Sequence, residues 1–217
     1  MPSPALGSDA RRFARQGAGY SRDMDEFWPH HICGIDELHA APLARARRVV
    51  SILEPAAPQP PELAVFRGAL LTLRFDDVIA PGGNFRPPAR TDIEQLLAFD
   101  RDHRTGDRLV IHCTAGISRS TAALAILLAQ REPGTAAAVF AQLRAIRPKA
   151  WPNSLMIALA DELLGAGGQL VHELREHYKF QLRSHPEIGR LMIGLGRERE
   201  IPFDRLIPDR KPAAPGG

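Results

Sequence analysis

The sequence predicts an α/β fold, a central and mostly parallel sheet flanked by helices, and three observations carry that prediction. Short apolar runs occur at HHICGI (30–35), VVSIL (49–53), LLTLRF (70–75) and RLVIH (108–112), bounded by turn-forming residues. Stretches with helical periodicity follow them, so strand and helix alternate. Behind RLVIH, STAALAILLAQ is apolar almost all round, as a central buried helix is.

The elements follow in order. After the first strand a helix is expected from Asp36 as N-cap through ELHAAPLARARR, with Pro42 in its early turns, and then the strand 49–53. The stretch EPAAPQPPE is too proline-rich for either element and reads as an exposed loop. LLTLRF runs into Asp76 and Asp77, which puts two carboxylates at a strand's C-terminal edge. Past the loop VIAPGGNFRPPAR, Thr91-Asp92-Ile93-Glu94 has the form of a capping box. It opens a helix whose Ile93, Leu96, Leu97 and Asp100 recur at helical spacing. A helix from Thr135 carries Ala136, Val139, Phe140, Leu143 and Ile146 on one stripe, and the next runs from Asn153 or Ser154 to Gly165. GAGGQ (165–169) reads as a hinge into VHELREHYKFQLRSHPEIGRLMIGLGR, a helical and partly amphipathic segment. It is expected to pack on the domain, with partner docking as the alternative.

Composition narrows the function classes. At 217 residues, 44% hydrophobic and 24% charged, the chain suits one globular domain. A net charge of +3, nearly all of its positive part arginine, gives no ground for nucleic-acid binding and mildly favours small anionic partners. Two cysteines far apart, Cys33 and Cys113, make neither a disulfide framework nor zinc-site spacing, so a reducing, cytoplasmic setting is expected, with no metal and no cofactor. Cys33, in a strand, reads as a small hydrophobe, with a resolving-thiol role as the alternative. No apolar run approaches the ~20 residues that span a bilayer, so no stable membrane insertion is expected.

The chemistry concentrates in RLVIHCTAGISRSTAALAILL, a strand, a tight turn and a helix. In an open α/β sheet ligands bind at the carboxyl ends of strands, where a helix N-terminus presents unpaired N–H groups. Cys113 lies at that edge and shares it with the loop amides and the guanidinium of Arg119, each of which favours a thiolate. Gly116 lets the backbone curl. A ring of amides closed by a bidentate arginine is shaped for a tetrahedral dianion. Lowering a thiol from ~8.5 to ~5.5 gains roughly thirtyfold, about 2 kcal/mol, too little for an enzyme. The rest must come from Arg119 and the amides acting on phosphoryl oxygens, and from a carboxylic acid that protonates the leaving oxygen. Asp76 and Asp77 are the candidates.

HCTAGISRS resembles the His-Cys-x5-Arg-Ser/Thr signature of the cysteine-dependent protein tyrosine phosphatase superfamily, and its wording is most similar to the dual-specificity branch. RPKAWPN is similar to that family's Arg-Pro-x-x-x-Pro-Asn stretch, and the likeness covers about residues 30 to 165. It implies a tyrosine phosphatase-like fold with Cys113 as nucleophile, Arg119 as phosphate clamp and Ser120 as the hydroxyl that helps phosphocysteine break down. It further implies His112 as a hydrogen-bonding support of the loop and, by register, Asp77 as the acid. Thr114, Ala115, Gly116, Ile117, Ser118 and Arg119 would bind substrate. The expected organisation, with the leader, extension and tail read from composition and pattern, is a disordered leader (1–24), a phosphatase-like catalytic domain (25–168), a helical C-terminal extension (169–207) and a disordered tail (208–217). The implied activity is metal-independent hydrolysis of phosphotyrosine, phosphoserine or phosphothreonine-type esters in a protein or small phosphoester. The absence of lysine from the loop speaks against phosphoinositides. Alternatives are a catalytically weak or silent phosphate-binding module, a phosphatase acting on a non-protein phosphoester such as a phosphoinositide and, disfavoured by the Cys-x5-Arg-Ser spacing, a sulfur-transfer or arsenate-reducing enzyme.

Overall fold

The computed structural model describes residues 30–104 and 106–202. The leader 1–24 and the tail 208–217 lie outside them. Four strands, β1 (His30–Gly34), β2 (Arg48–Leu53), β3 (Ala69–Arg74) and β4 (Leu109–Cys113), form one sheet in the order β1-β4-β2-β3. Every neighbouring pair is parallel. Their carboxyl ends stand level, with Gly34 opposite Cys113 and Ser51 opposite His112. Burial follows position: all of β4 is buried in the middle, while the edge strand β3 exposes Ala69 and Leu70.

The two faces of the sheet are covered differently. Ile32, Val50, Ile52, Ile111 and Cys113 face the larger core, packed with α1 (Arg90–Asp100), α2 (Arg119–Arg131), α3 (Ala136–Ile146) and α4 (Ser154–Leu164). Cys33, Val49 and Val110 face a smaller cluster closed by Leu38, Leu63 and Phe66 from turns. The helix expected after Asp36 is replaced here by two 3-10 turns, Ile35–Ala40 and Leu43–Arg45. Pro42 supplies no N–H and holds Ala41 extended, at ψ 149°, which ends the first turn. Glu37, not Asp36, makes the cap, accepting the Gly34 N–H at 2.6 Å.

In α2 every residue from Arg119 to Ala129 is buried, in keeping with its all-round apolar sequence. The cap of α1 lies off the expected box: Asp92 accepts the Ala89 N–H at 2.8 Å, and Glu94 pairs along the helix with Arg90 at 3.1 Å. Asp92 sits three residues after the N-cap, where a carboxylate reaches back to the free amide.

The C-terminal segment forms α5 (Gln169–Ser184), α6 (Glu187–Gly194) and a short 3-10 turn, Glu198–Glu200. Asp161 accepts the Gly168 and Leu170 N–H groups at 2.7 and 2.8 Å, joining the start of α5 to α4. Leu170, Leu174, Tyr178, Ile188, Met192 and Ile201 enter the larger core. Tyr178 stacks on Trp151, ring centroids 4.1 Å apart. Gln181 donates to the carbonyls of Pro148 and Ala150 at 2.8 and 2.9 Å. The amphipathic face is thereby used inside the molecule, against the stretch that leads from α3 to α4. Among the described residues no helix is long and apolar enough to cross a membrane.

Candidate active site

All four strands deliver residues to one edge. Beyond β4 the chain turns through Thr114–Ser118 into α2, and Gly116 takes φ +68°. A Cβ there would lie 2.5 Å from the Cys33 carbonyl carbon and the Gly34 nitrogen, so both conformation and proximity to β1 require glycine. The loop carbonyls are bonded outward. Thr114 accepts from the Ile35 N–H (3.2 Å), Gly116 from Arg147 Nε (3.1 Å), Ile117 from the Trp151 N–H (2.9 Å) and Ser118 from the Asn153 N–H (3.3 Å). Because each peptide is planar with N–H and C=O opposed, this leaves the amides on the inner side. The Gly116 N–H points at Cys113 Sγ, 3.3 Å away, and Ser120 Oγ stands 3.2 Å from the same sulfur.

Arg147 is itself fixed by Glu37 at 2.9 Å. Within the motif similar to Arg-Pro-x-x-x-Pro-Asn, Arg147, Trp151 and Asn153 therefore all hold the loop from outside. Ala115 and Ile117 are each 2% exposed and belong to the core, so what they offer a ligand is main chain. His112 is buried, and burial, partly offset by the Cys113 main chain, lowers its pKa to about 4. No side chain among the described residues bonds to either ring nitrogen, and the Cys113 main chain is the polar group that acts on the imidazole.

Arg119 is completely buried. Nη1 donates to the Phe75 carbonyl at 2.8 Å, and Nη2 to Glu54 at 2.6 Å and Thr114 Oγ1 at 2.9 Å. Burial works against its charge, but Asp77, Cys113 and Glu54 outweigh it and raise its pKa. Its Nε is buried without a partner among the described residues. Glu54 also accepts from the Thr114 hydroxyl at 2.7 Å. Burial raises Glu54, but Arg119 and the Thr114 hydrogen bond prevail and hold it below the usual carboxylate range.

Glu54 was not singled out from the sequence, where it opens the proline-rich stretch read as an exposed loop. The signal was available: it directly follows β2, a neighbour of β4, just as the aspartates follow β3.

The two aspartates part company. Asp76 closes its own loop, accepting the Arg86 N–H at 2.8 Å while its N–H donates to the Arg86 carbonyl at 2.7 Å. The Arg86 side chain pairs with Asp92 at 2.9 Å. Asp77 turns inward. Its Oδ1 accepts from Ser118 Oγ (2.8 Å), Asn153 Nδ2 (2.9 Å) and Arg197 Nη1 (3.2 Å), and its Oδ2 is buried without a partner among the described residues. Burial pushes Asp77 up, yet Arg197, Arg119 and the Asn153 and Ser118 hydrogen bonds together depress it.

Cys33 lies on the opposite face of the sheet from Cys113, in the smaller cluster, and burial followed by the charge of Glu37 pushes its thiol well up. That placement suits a small hydrophobe and leaves a disulfide with Cys113 without the required geometry.

No family model and no curated protein matches the sequence. Solved structures similar to this chain include those of dual-specificity and tyrosine phosphatases. Tk-PTP in its active form is 20% identical, over 62% of this chain and 88% of that one, with a TM-score of 0.48. Human DUSP28 is 21% identical, over 64% and 89%, with a TM-score of 0.49. A human tyrosine phosphatase-like serine/threonine/tyrosine-interacting protein is 18% identical, over 61% and 85%, with a TM-score of 0.46.

Proposed function

We propose that this chain is a metal-independent phosphomonoesterase of the cysteine-dependent, dual-specificity-like kind, acting through phosphocysteine on phosphotyrosine, phosphoserine or phosphothreonine-type esters of a protein or small molecule. The observation that carries the reading is a pair of buried atoms beside the thiol's loop, Arg119 Nε and Asp77 Oδ2, that have no partner among the described residues. A buried polar atom left unpaired costs roughly 1–3 kcal/mol, and a bound phosphoester removes both costs, an equatorial oxygen taking the Nε–H and the ester oxygen meeting the carboxyl group.

In the reaction the Cys113 thiolate forms the S–P bond as the P–O bond to the leaving group breaks, and Asp77 gives that oxygen its proton. Water then attacks phosphorus, Asp77 takes the proton back, and the sulfur leaves as a thiolate with the Ser120 hydroxyl donating to it. Arg119 and the loop amides hold the equatorial oxygens throughout. The free enzyme has Asp77 mostly ionised. A bound dianion beside it raises its affinity for a proton, so the acid becomes competent as substrate arrives. The cradle and general acid suffice for this chemistry, and the reading calls for no cofactor.

The test is turnover of an aryl phosphate in EDTA together with trapping of a phosphoenzyme. Turnover and a trapped adduct are expected, both lost in Cys113→Ser. Turnover that disappears with EDTA, or survives in the Ser variant, overturns the reading. The depressed pKa of Asp77 favours one second reading, a phosphate-binding module without a working acid. Phosphate affinity with no turnover of any ester is its signature.

A further inference from the structure

Resting on that reading, we propose that Arg197, from the C-terminal segment, is a positioning residue for the acid and the anion loop, and that the site is incomplete without residues 195–201. Arg197 follows α6 and is 2% exposed. Its Nη1 reaches both Ser118 Oγ, at 2.7 Å, and Asp77 Oδ1, so one nitrogen ties the loop to the acid. Its Nε and Nη2 hold the two oxygens of Glu200 at 2.8 and 2.9 Å. Glu200 is anchored in turn by Trp151 Nε1 (2.7 Å), the Ser154 N–H (2.9 Å) and the Tyr178 hydroxyl (3.1 Å). Trp151 and Ser154 flank Asn153, whose own side chain donates to Asp77. The chain of contacts thus runs from the core, through Glu200 and Arg197, to a single carboxylate oxygen.

Apolar side chains would fasten the segment at least as well as a buried ion pair does. What the charge adds is felt at Asp77. The charged and titratable groups around that carboxyl are Arg197 from the C-terminal turn with Glu200 behind it, Arg119 from α2 and the Tyr178 hydroxyl from α5, while the neighbouring Asp76 is bonded to Arg86. Ser118 and Asn153 contribute neutral donors. Arg197 is the nearest cation, and it fixes which oxygen is occupied: with Oδ1 engaged three times, Oδ2 alone is left for a leaving group.

The experiment reads the Asp77 carboxyl directly, by 13C NMR titration of the full-length protein with Asp77→Asn for assignment, alongside pH profiles of kcat/KM for alkyl and aryl phosphates. Arg197→Gln keeps length and a hydrogen-bond donor and removes the charge. It should raise the Asp77 midpoint by about one pH unit or more, a tenfold change in proton affinity, and move the basic limb of the alkyl phosphate profile upward with it. Arg197→Lys keeps the charge and should restore most of the wild-type midpoint while lowering kcat, because the tie to Ser118 and Glu200 loses its planar fork. An unchanged midpoint in the Gln variant, or a Lys variant indistinguishable from it, overturns the proposal. Should the Gln variant not fold, a wild-type Asp77 titrating in or above the ordinary aspartate range overturns it as well. If the wild type turns over no phosphoester, the phosphatase reading falls, and the NMR midpoints still decide whether Arg197 governs Asp77.

Discussion

Of the buried arginines paired with a glutamate around the cysteine loop, Arg119 and Arg197 both reach the side of Asp77 and are saturated to different degrees. Arg119 uses Nη1 and Nη2 on Phe75, Glu54 and Thr114, and its Nε has no partner among the described residues. Arg197 has all three nitrogens engaged. A guanidinium with a spare buried donor has a place for an anion. One with none can act on a ligand only through the residues it holds. Burial and charge are alike in the two, so the hydrogen-bond inventory is what separates the proposed clamp from the proposed positioner.

The comparison breaks most completely at the sulfur between the Ser120 hydroxyl and the Gly116 amide. Cys113→Ser should abolish turnover while inorganic phosphate still binds, because the amides and Arg119 survive; residual steady-state hydrolysis above the uncatalysed rate would contradict this. Next in size, Arg119→Lys keeps the charge and loses the fork. The loss should lie mainly in kcat and reach about a hundredfold or more, read from steady-state kinetics on an aryl phosphate. A change confined to KM would put Arg119 in the holding role assigned to Arg197.

Asp77→Asn should slow alkyl phosphates by about a hundredfold or more and activated aryl phosphates far less, with the basic limb of kcat/KM flattened. In the wild type that limb reports the free enzyme. Because Asp77 is depressed, activity on poor leaving groups should already be falling as pH rises through the acidic range. Asp76→Asn should change little, since its carboxylate serves only its own loop; a larger, leaving-group-dependent defect there would move the acid by one residue. Glu54→Gln keeps an acceptor for Arg119 and Thr114 but removes the charge, and a fall in kcat of about tenfold is expected, smaller than that of Arg119→Lys.

The smallest effect concerns stability and compares a histidine from each side. His177, in α5, donates from Nε2 to the Ala150 carbonyl at 2.9 Å and faces Arg144 through Nδ1 at 3.3 Å, while His112 lies under the cysteine. Burial depresses each from 6.5 to about 4. Between those values the unfolded chain binds more protons, so stability is complete above about pH 6.5 and declines as pH falls toward 4. Denaturant unfolding at pH 7 and pH 5 should differ by on the order of 2 kcal/mol for each histidine. His177→Gln and His112→Gln should each remove about half of the difference, and no change in either variant would contradict the assignment.

Much of the site was legible because its parts are contiguous. Cys113, Gly116, Arg119 and Ser120 fall in one strand–turn–helix passage, where local geometry alone brings them to a strand end. The four strands and the helices opening at Thr91, at Thr135 and at Asn153 or Ser154 could be read from apolar pattern. The stretch after Asp36 misled because its composition suits a helix, whereas Pro42 and the cap by Glu37 favour short 3-10 turns. The capping box at Thr91 misled because Asp92 competes for the same role from the better position.

What the sequence by itself determined is the loop: residue types at fixed spacing whose chemistry follows from how a β-strand must turn into a helix. The tertiary structure alone decided which distant side chains complete it. Glu54 lies 65 residues from Arg119. Arg197 lies 120 residues from Asp77, and a single arginine among many carries no local mark of its partner. Parallel strands ending level bring the first into reach. The packing of α5 and α6 on the core brings the second, since burying the apolar face of that segment is what sets where its arginine lands.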